Sequence, residues 1–462
     1  MEVLSQAPQP TIKCYHSIKN GVAAQILYQE FTPTSSYTAG RNLQSYNFED
    51  SLDNFGGSFS FTVKEDISKD IMQKTFMDEV QPLDIIVISE SGSEARIDFI
   101  GVVTTVSIGG IASNLNKSVT VSGKSIEWLF LYYNINTDIK ACIFQNTEAN
   151  KVFITDLANR QGTSPLTVDD IAESCYVMFK DRTEKNKEIS NFTIGGIIEK
   201  WYGSDIFDAI SESFLYPISS NLFNTGKINI IDYLGKILPK PIYEIYGFIN
   251  SFNKPKIKIR KVPFDKPIAK YSINPTQLTD FTLTRSCEEV YTAFMPYIEG
   301  SKQSPDFFMT LQAAENASDS KDMGKEPGYN SALPNNEKVR LYGYQLLTCS
   351  FIGYTPDEKT NGETIDNDKL NALARDMEKW YSNLDDMYNG DFTIVNMTKE
   401  KPARIGEWVS FAGGLFYVTT EKHSWNYGDN PMINYQVSRG GKYVGGIFTK
   451  LKNLSAAYRE FE

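Results

Sequence analysis

The most chemically suggestive stretch of the chain is FAGGLFYVTTEKHSWNYGDN at residues 411–430, which contains His423 and Trp425. Side chains alternate along a strand, so Glu421, His423 and Trp425 would share one face. A histidine beside a carboxylate could serve as a general base if a nucleophile lay within reach. The alternative is structural: Trp425 packs across strands and His423 forms a hydrogen bond near an interface. We favour the structural interpretation.

The other chemistry-bearing residues lack the pattern that a site requires. His16 is the only other histidine, which excludes a multi-histidine metal site. Asp366 and Asp368 suggest calcium, but the glycine required at position six of an EF-hand loop is missing, so they are interpreted as acids at a helix start. Glu288 and Glu289 are adjacent on a predicted strand and point to opposite faces, so they cannot flank one glycosidic bond. We therefore predict no enzyme and no catalytic, cofactor-binding or metal-binding residues.

Composition narrows the class of protein. The chain has 462 residues, which suggests two or three domains, and its 41% hydrophobic and 22% charged content is that of a soluble globular protein. The net charge of −11 argues against sequence-independent nucleic-acid binding. It is compatible with a channel surface along which DNA passes without binding. Five scattered cysteines without a CxxC predict no zinc or disulfide framework and a reducing compartment. We expect no signal peptide and no membrane span.

Alternating patterns predict antiparallel strands in the first third of the chain. The segments are SFSFTVK, LDIIVIS, RIDFIGVVTTVSI and SVTVSG, and a short helix is expected to begin near Ser125. From these patterns the first domain, at residues 41–133, is a small antiparallel β-barrel or sandwich closed by that helix, and we predict the barrel. An irregular N-terminal arm at residues 1–40 is expected to precede it, with one strand near residues 24–28.

The remainder of the chain divides into three further parts. Residues 134–275 are predicted to form a mixed, largely helical insertion domain, because helical spacing recurs in segments 146–160, 196–216 and 228–252, followed by a strand at 256–262. Residues 276–445 are predicted to form a second β-barrel domain with an exposed loop at 301–337 and a helix that begins after residue 366. Residues 446–462 are predicted to form a C-terminal docking tail in which Phe448, Leu451, Leu454 and Tyr458 lie at helical spacing.

Two strand pairs in these predicted barrels resemble each other. Both contain Val-Thr-Thr, at residues 103–105 and 418–420, and both return strands reach Val-Ser before a glycine, with Val121 and Val437 in corresponding places. Hairpins reuse Val, Thr and Gly because these residues suit the pleat and the turn. A structural duplication and an unrelated likeness of two hairpins are therefore both open.

Three stretches carry a resemblance to a known family. They are LDIIVISESGSEARIDFIGVVTTVS…KSVTVSGKSIEWLF, IGEWVSFAGGLFYVTTEKHSWNYGDNPMINYQVSRGG and EEVYTAFMPYIEG. In their order and spacing they resemble the baseplate hub proteins of contractile phage tails and related injection machines, the late-control-D-like tail proteins. The third stretch resembles the strand that opens the second barrel. The resemblance extends over about half of the chain, because residues 1–40, 134–275 and 301–337 lie outside it.

The resemblance implies an α+β fold with two tail-tube-like antiparallel barrels and a structural function. A homotrimer would adapt a sixfold tail tube to a threefold spike and line the exit channel of the virion tail baseplate, after assembly in the bacterial cytoplasm. The implied partners are other copies of the chain, the tail tube protein, a spike or tail-tip protein and neighbouring baseplate proteins. No membrane insertion is expected, and DNA is only a passing cargo. The alternative function is that of a saccharide-binding or cell-surface-binding tail component. The 13% aromatic content would then supply rings on which sugars stack.

Overall fold

The structure is a computed structural model of the chain. It describes residues 10–20, 22–32, 41–66, 75–90, 96–110, 116–132, 134–136, 194–203, 205–209, 227–238, 240, 242–263, 267–299, 333–352, 367–396, 401–444 and 447–451.

Strands dominate the described residues. In chain order they are β1 (Thr11–Lys19), β2 (Val22–Phe31), β3 (Arg41–Ser51), β4 (Ser58–Asp66), β5 (Ile85–Ser89), β6 (Phe99–Gly109), β7 (Asn116–Ser125), β8 (Asn134–Asn136), β9 (Phe207–Ala209), β10 (Lys227–Asn229), β11 (Tyr243–Ile249), β12 (Pro255–Lys261), β13 (Ala269–Ser272), β14 (Leu278–Thr284), β15 (Ala293–Glu299), β16 (Leu333–Pro334), β17 (Leu346–Ile352), β18 (Tyr388–Val395), β19 (Trp408–Phe411), β20 (Gly414–Asn426), β21 (Met432–Val444) and β22 (Ile447–Thr449). The helices are α1 (Phe76–Glu79), α2 (Trp128–Tyr132), α3 (Ile194–Tyr202), α4 (Ile230–Ile237), α5 (Asn336–Tyr342) and α6 (Asn367–Tyr381), with 3₁₀ turns at Pro275–Gln277 and Leu384–Asp386.

Fourteen strands form one large and mainly antiparallel sheet. Its main path runs β14-β18-β21-β20-β3-β4-β7-β6-β5-β1-β2, and β13, β19 and β22 attach at its sides. Over the described residues the first and last strands of this path do not pair with each other, so the sheet is open. The prediction of two closed β-barrels is therefore wrong. A long strand, β20, joins the two parts by pairing with β3, which merges the two predicted barrels into one sheet.

The large sheet contains the same five-stranded unit twice. The first unit is β3, β4, β5, β6 and β7, and the second is β14, β18, β19, β20 and β21. In each unit the spatial order is first, second, fifth, fourth, third, and all neighbours are antiparallel. The pairing register also agrees: Ile85 opposite Val102 corresponds to Trp408 opposite Tyr417. The structure thus confirms that the likeness of the two hairpins reflects a duplication.

Two irregularities recur at corresponding places and strengthen the match between the units. Thr104 is skipped in the pairing of β6 with β7, and Thr419 is skipped in the pairing of β20 with β21. Each of these threonines directs its Oγ1 to a carbonyl oxygen of the return strand, that of Ser122 at 3.4 Å and that of Gln436 at 3.2 Å. A β-bulge adds one residue to one strand and changes the local twist, so its repetition is a specific structural feature.

A second repeated bulge lies on the outer strands. Gln44 is skipped where β3 pairs with β4, and Thr279 is skipped where β14 pairs with β18. With both bulges aligned, the sequence FTV of β4 coincides with FTI of β18. The return strands then align two residues away from the predicted match: Val121 corresponds to Tyr435, and Gly123 corresponds to Val437. The prediction that Val121 matches Val437 is wrong because the similar Val-Ser-Gly endings hid the true register.

The interior of each unit is built from corresponding positions. Seven apolar positions are buried in both units: Phe61 and Phe392, Val63 and Ile394, Ile86 and Val409, Ile88 and Phe411, Val103 and Val418, Val119 and Ile433, Val121 and Tyr435. A glycine supports an aromatic ring in each unit, since a Cβ on Gly123 would lie 2.7 Å from the Phe59 ring and one on Gly440 would lie 2.2 Å from the Phe416 ring. The opposite faces of both units share one further apolar cluster with the middle of the chain.

The predicted largely helical middle region is not what the described residues show. Helix α3 ends at Tyr202, and residues 207–209 form a strand where helix was predicted up to residue 216. The segment 228–252 contains α4 but continues as β11, which pairs with β12 and completes a three-stranded sheet with β9. β-branched and aromatic residues in β11 favour a strand over the helical period. The strand prediction at 256–262 agrees with β12, and segment 146–160 lies outside the described residues.

Several other elements also differ from the predictions. The arm 1–40 was predicted with one strand, but it contains β1 and β2, which extend the large sheet beyond β5. The stretch EEVYTAFMPYIEG was expected to open the second barrel. Its strand β15 instead forms a separate sheet with β16 and β17. In the tail, residues 447–449 form a strand on β21 rather than a helix, and Leu454 and Tyr458 lie outside the described residues. Most of the predicted loop 301–337 is also outside them.

Candidate functional site

The junction between the two units is formed by the distal half of β20 and by β3. Thr420 pairs with Ser51, His423 with Phe48 and Asn426 with Ser45. The same half of β20 pairs with β21 on its other side, so both of its edges are occupied. The His423 ring stacks on Phe48 at a centroid distance of 4.3 Å, and Trp425 stacks on Tyr46 at 5.9 Å. These are the cross-strand contacts of the structural interpretation of His423.

The carboxylate of Glu90 is the centre of the polar contacts at this junction. His423 Nδ1 lies 2.9 Å from Glu90 Oε2, and both side chains are fully buried. Asn396 donates a hydrogen bond to the same oxygen at 2.8 Å, and Tyr46 donates to Oε1 at 2.9 Å. Glu90 belongs to the first unit, whereas His423 and Asn396 belong to the second. A single buried carboxylate therefore connects the two units.

Arg404 forms the second connection between the units. Its Nη2 donates to the backbone carbonyl of Asp98 and lies 3.9 Å from Asp50 Oδ2, and its Nε lies 3.1 Å from Glu421 Oε1. Asp98 also accepts from the Glu90 amide at 2.8 Å, which links the two connections into one network. We call this set the ionic junction: Asp50, Glu90, Asp98, Arg404, Glu421 and His423. All six are buried.

The charges at the ionic junction shift the pKa values of its members. Burial would lower the pKa of His423, but the Glu90 carboxylate and a contact with Glu421 outweigh it and raise the pKa to about 9. Burial likewise opposes ionisation of Glu90, but His423 holds its pKa below the usual range. Burial raises the pKa of Asp50, with nearby Glu127 and Glu421 acting in the same direction. At neutral pH the junction therefore contains a protonated histidine paired with an ionised glutamate.

This arrangement binds two parts of the protein rather than a substrate. The His423 ring has no exposed surface, and its Nδ1 is already directed at Glu90. A buried, hydrogen-bonded ion pair costs desolvation energy and is costly to break from one side, so it fixes one relative arrangement of its partners. The ionic junction thus specifies which strand β20 pairs with.

The strand pattern at residues 411–430 identifies Glu421 and His423, but nothing in the sequence points to the other members of the ionic junction. Glu90 follows the apolar run of β5 and lies 333 positions from His423. Arg404 is nearer in sequence, but it lies in a loop whose residues show no regular spacing to β20. The pair Glu288 and Glu289 was predicted on a strand, but both are exposed in the connection between β14 and β15. Asp368 lies in the first turn of α6, as predicted, and Asp366 is outside the described residues.

The repeat leaves two strand edges without the partner that the junction provides. By the register of the bulges, residues 105–109 of β6 correspond to residues 420–424 of β20. Among the described residues no strand pairs with this part of β6 on the side away from β7. Likewise β14 corresponds to β3, and within the described ranges it pairs only with β18. We call residues 105–109 the β6 edge and strand β14 the β14 edge.

No group of three or more His, Cys, Asp or Glu side chains in the described ranges is arranged to hold a metal ion. None of the helices in the described part of the chain is long and apolar enough to cross a membrane.

Comparisons with known proteins give only distant similarities. No family profile matches the chain, and no curated protein matches it. Among solved structures, the 43 kDa tail protein of prophage MuSo2 from Shewanella oneidensis aligns at 10% identity with a TM-score of 0.46, over 94% of this chain and 98% of that one. Prophage tail protein gp18 from Listeria monocytogenes aligns at 11% identity with a TM-score of 0.44, over 97% and 98%.

A third similar structure is the Escherichia coli c3393 protein, described as a type VI secretion component with structural similarity to the T4 tail proteins gp27 and gp5. It aligns at 8% identity with a TM-score of 0.42, over 90% of this chain and 78% of that one. All three TM-scores lie below 0.5, so these alignments establish neither a shared fold nor a function.

Proposed function

We propose that the chain is a structural component of a phage tail or of a phage-like injection machine. In this proposal it is the baseplate hub: three copies form a ring that caps the sixfold tail tube, seats a threefold spike or tail-tip protein and lines part of the exit channel. Its function is to match symmetries and hold partners, without catalysis. The sequence resemblance to hub proteins supports the identity, and the duplication of the five-stranded unit supports the mechanism.

The observation that carries the proposal is the register-matched repeat. Two equivalent units in one chain give three chains six equivalent units, so a threefold assembly can present a sixfold surface. Homo-oligomers close into rings when successive contacts are equivalent and the rotation between them divides a full turn. Inside one chain the two units already associate edge to edge through β20 and β3, which shows that such units can be joined side by side.

The mass of the purified protein tests this proposal most directly. The chain has a mass of 52.2 kDa, and we expect mass photometry to show an assembly of three copies, either alone or on addition of the tail tube protein. Class averages from electron microscopy should show a ring with six similar lobes. A particle that stays monomeric with the tube protein present would contradict the proposal.

The same preparation separates the hub from a receptor-binding role. A saccharide-binding tail component would bind glycans as a monomer, and its affinity would not depend on ring formation. We expect no glycan binding by the monomer on an array of bacterial surface saccharides. Specific binding there, without association with tube protein, would favour the alternative.

A further inference from the structure

The β6 edge and the β14 edge are complementary in position. The β6 edge belongs to the first unit and corresponds to the half of β20 that forms the internal junction. The β14 edge belongs to the second unit and corresponds to β3, the other half of that junction. A chain therefore carries one completed junction and the two halves of another. Those halves lie on different units, seven strands apart along the main path of the sheet.

We propose that the β6 edge pairs antiparallel with the β14 edge of a second copy of this chain. This pairing repeats the internal β20–β3 junction between chains. The strand pairing itself is inferred from the repeat; only the closure at three copies rests on the proposed function. The contact is head-to-tail, so each chain uses its β6 edge toward one neighbour and its β14 edge toward the other.

The internal junction predicts the register of the contact. His423 corresponds to Ile108, and Phe48 corresponds to Leu283, so Ile108 of one chain lies opposite Leu283 of the next. By the same transfer, Ser107 lies opposite Thr284 and Gly109 opposite Thr282. Directly opposed side chains in antiparallel strands lie on the same face at about 5 Å between Cβ atoms.

The exposure of the β6 edge favours its pairing with a strand of another chain. Ile108 is 46% exposed, although the corresponding His423 is fully buried. A Cβ placed on Gly109 would meet no atom within 4 Å, so the face of the strand at this residue is also uncovered. An exposed strand edge with an apolar side chain is a template for strand addition, and soluble proteins rarely leave one uncovered. Pairing with β14 would cover Ile108 with Leu283.

The internal junction also explains why the β14 edge pairs with β6 and not with β20. The ionic junction has no counterpart at these edges, because Val106 and Ile108 stand where β20 carries Glu421 and His423. Placing β20 on the β14 edge would bury Glu421 and His423 away from Glu90 and Arg404, which is costly. In the pairing of β6 with β14, Val106 and Ile108 take the places of Glu421 and His423, and the counterpart of Asp50 is Arg285, which is exposed just beyond the end of β14. The two kinds of junction therefore do not exchange partners.

Cysteine cross-linking of mixed single variants tests the pairing and its register. Ile108→Cys and Leu283→Cys are made separately in a Cys287→Ser background, because Cys287 is exposed close to the β14 edge. The two variants are mixed and treated with a short thiol-reactive cross-linker. We expect a covalent dimer in the mixture and at least a tenfold lower yield with either variant alone. Ile268→Cys, at an isoleucine that is 70% exposed outside both edges, replaces Ile108→Cys as the control and should give no dimer with Leu283→Cys.

A second measurement does not depend on cross-linking. Ile108→Lys should weaken self-association at least tenfold in sedimentation velocity, whereas Ile268→Lys should leave it unchanged. Absence of the specific dimer overturns the inferred pairing, even if the protein forms rings of three, in which case the proposed function stands. A specific cross-link in open chains or in rings of another size supports the pairing and contradicts the hub. When Ile108→Cys and Leu283→Cys are combined in one chain, we expect no cross-link between them within that chain. Such an internal cross-link would also overturn the inference.

Discussion

Glu90 shows how one buried carboxylate can decide the relative placement of two similar halves of a protein. It accepts hydrogen bonds from Tyr46, Asn396 and His423, and two of these donors come from the second unit. The repeat supplies the strands of both units, but it does not supply this contact, because the connection between β5 and β6 that carries Glu90 is replaced by a two-residue turn between β19 and β20. The junction is thus specified by residues that the repeat lacks.

Replacing Glu90 by glutamine should separate the charge of the junction from its shape. The amide keeps the size of the side chain but removes the negative charge, so the buried His423 loses the first of the two carboxylates that keep it protonated. We expect the pKa of His423 to fall well below its native value of about 9, and the free energy of unfolding to fall by about 3 kcal/mol. The chain has only two histidines, so two ring signals in an NMR titration report the pKa directly. An unchanged His423 pKa would show that Glu421 alone sustains the charge.

The raised pKa of His423 predicts a loss of stability in alkali. The folded-state pKa is about 9 and the ordinary value is 6.5, so the stabilisation is complete below pH 6.5 and disappears as the pH rises to about 9. The two values imply a contribution on the order of 3 kcal/mol. His423→Gln cannot titrate, so the difference in Tm between this variant and the native chain should shrink between pH 6.5 and 9. A difference that stays constant over that range would contradict a charged His423.

At the scale of elements, the strands of the two units were predictable and their arrangement was not. The alternating segments of β4, β7 and β20 follow the period of two, so the sequence identifies them directly. Strand β3 was missed because the bulge at Gln44 interrupts its alternation. The pairing of β20 with β3 joins residues at least 369 positions apart and leaves no local signal. The ionic junction was unpredictable for the same reason.

The bulge at Thr419 offers a test of how the repeat positions its side chains. Deleting this residue shifts the distal half of β20 by one position, which moves His423 and Trp425 to the opposite face of the sheet. We expect a loss of more than 3 kcal/mol in the free energy of unfolding, or no soluble protein. Thr419→Ala removes only the hydroxyl contact with the Gln436 carbonyl and should cost about 1 kcal/mol. Thermal melts followed by circular dichroism compare the two, and equal effects would show that the bulge is not required.

At the scale of the whole molecule, the fold is one sheet built from a repeated unit with two different kinds of edge. The internal junction is charged and closed, whereas the β6 edge carries Val106 and Ile108 in place of Glu421 and His423. The predicted repetition of a β unit was confirmed, but the predicted closure of each unit into a barrel was wrong. The periodicity of a strand indicates which of its faces is buried, but not which strands pair at its edges. The buried faces can be predicted from strand periodicity, whereas the pairing of the strand edges cannot.

Two truncations of the C-terminal segment can separate its contribution to folding from its predicted role in docking. Phe448 stacks on Trp408 at 5.2 Å, and Leu451 is buried in the core of the second unit, so residues 447–451 are part of the fold. Deleting residues 447–462 should lower the free energy of unfolding by more than 3 kcal/mol, because two buried apolar side chains are lost. Deleting only residues 452–462 should leave the Tm within about 1 °C.

The shorter truncation then isolates the proposed docking tail. If residues 452–462 contact a neighbouring subunit or the spike, their deletion should reduce capture of that partner in a pull-down while the melting curve stays native. The longer deletion would reduce capture through loss of the fold and cannot distinguish the two causes. Undiminished capture by the chain that ends at residue 451 would contradict the prediction of a C-terminal docking tail.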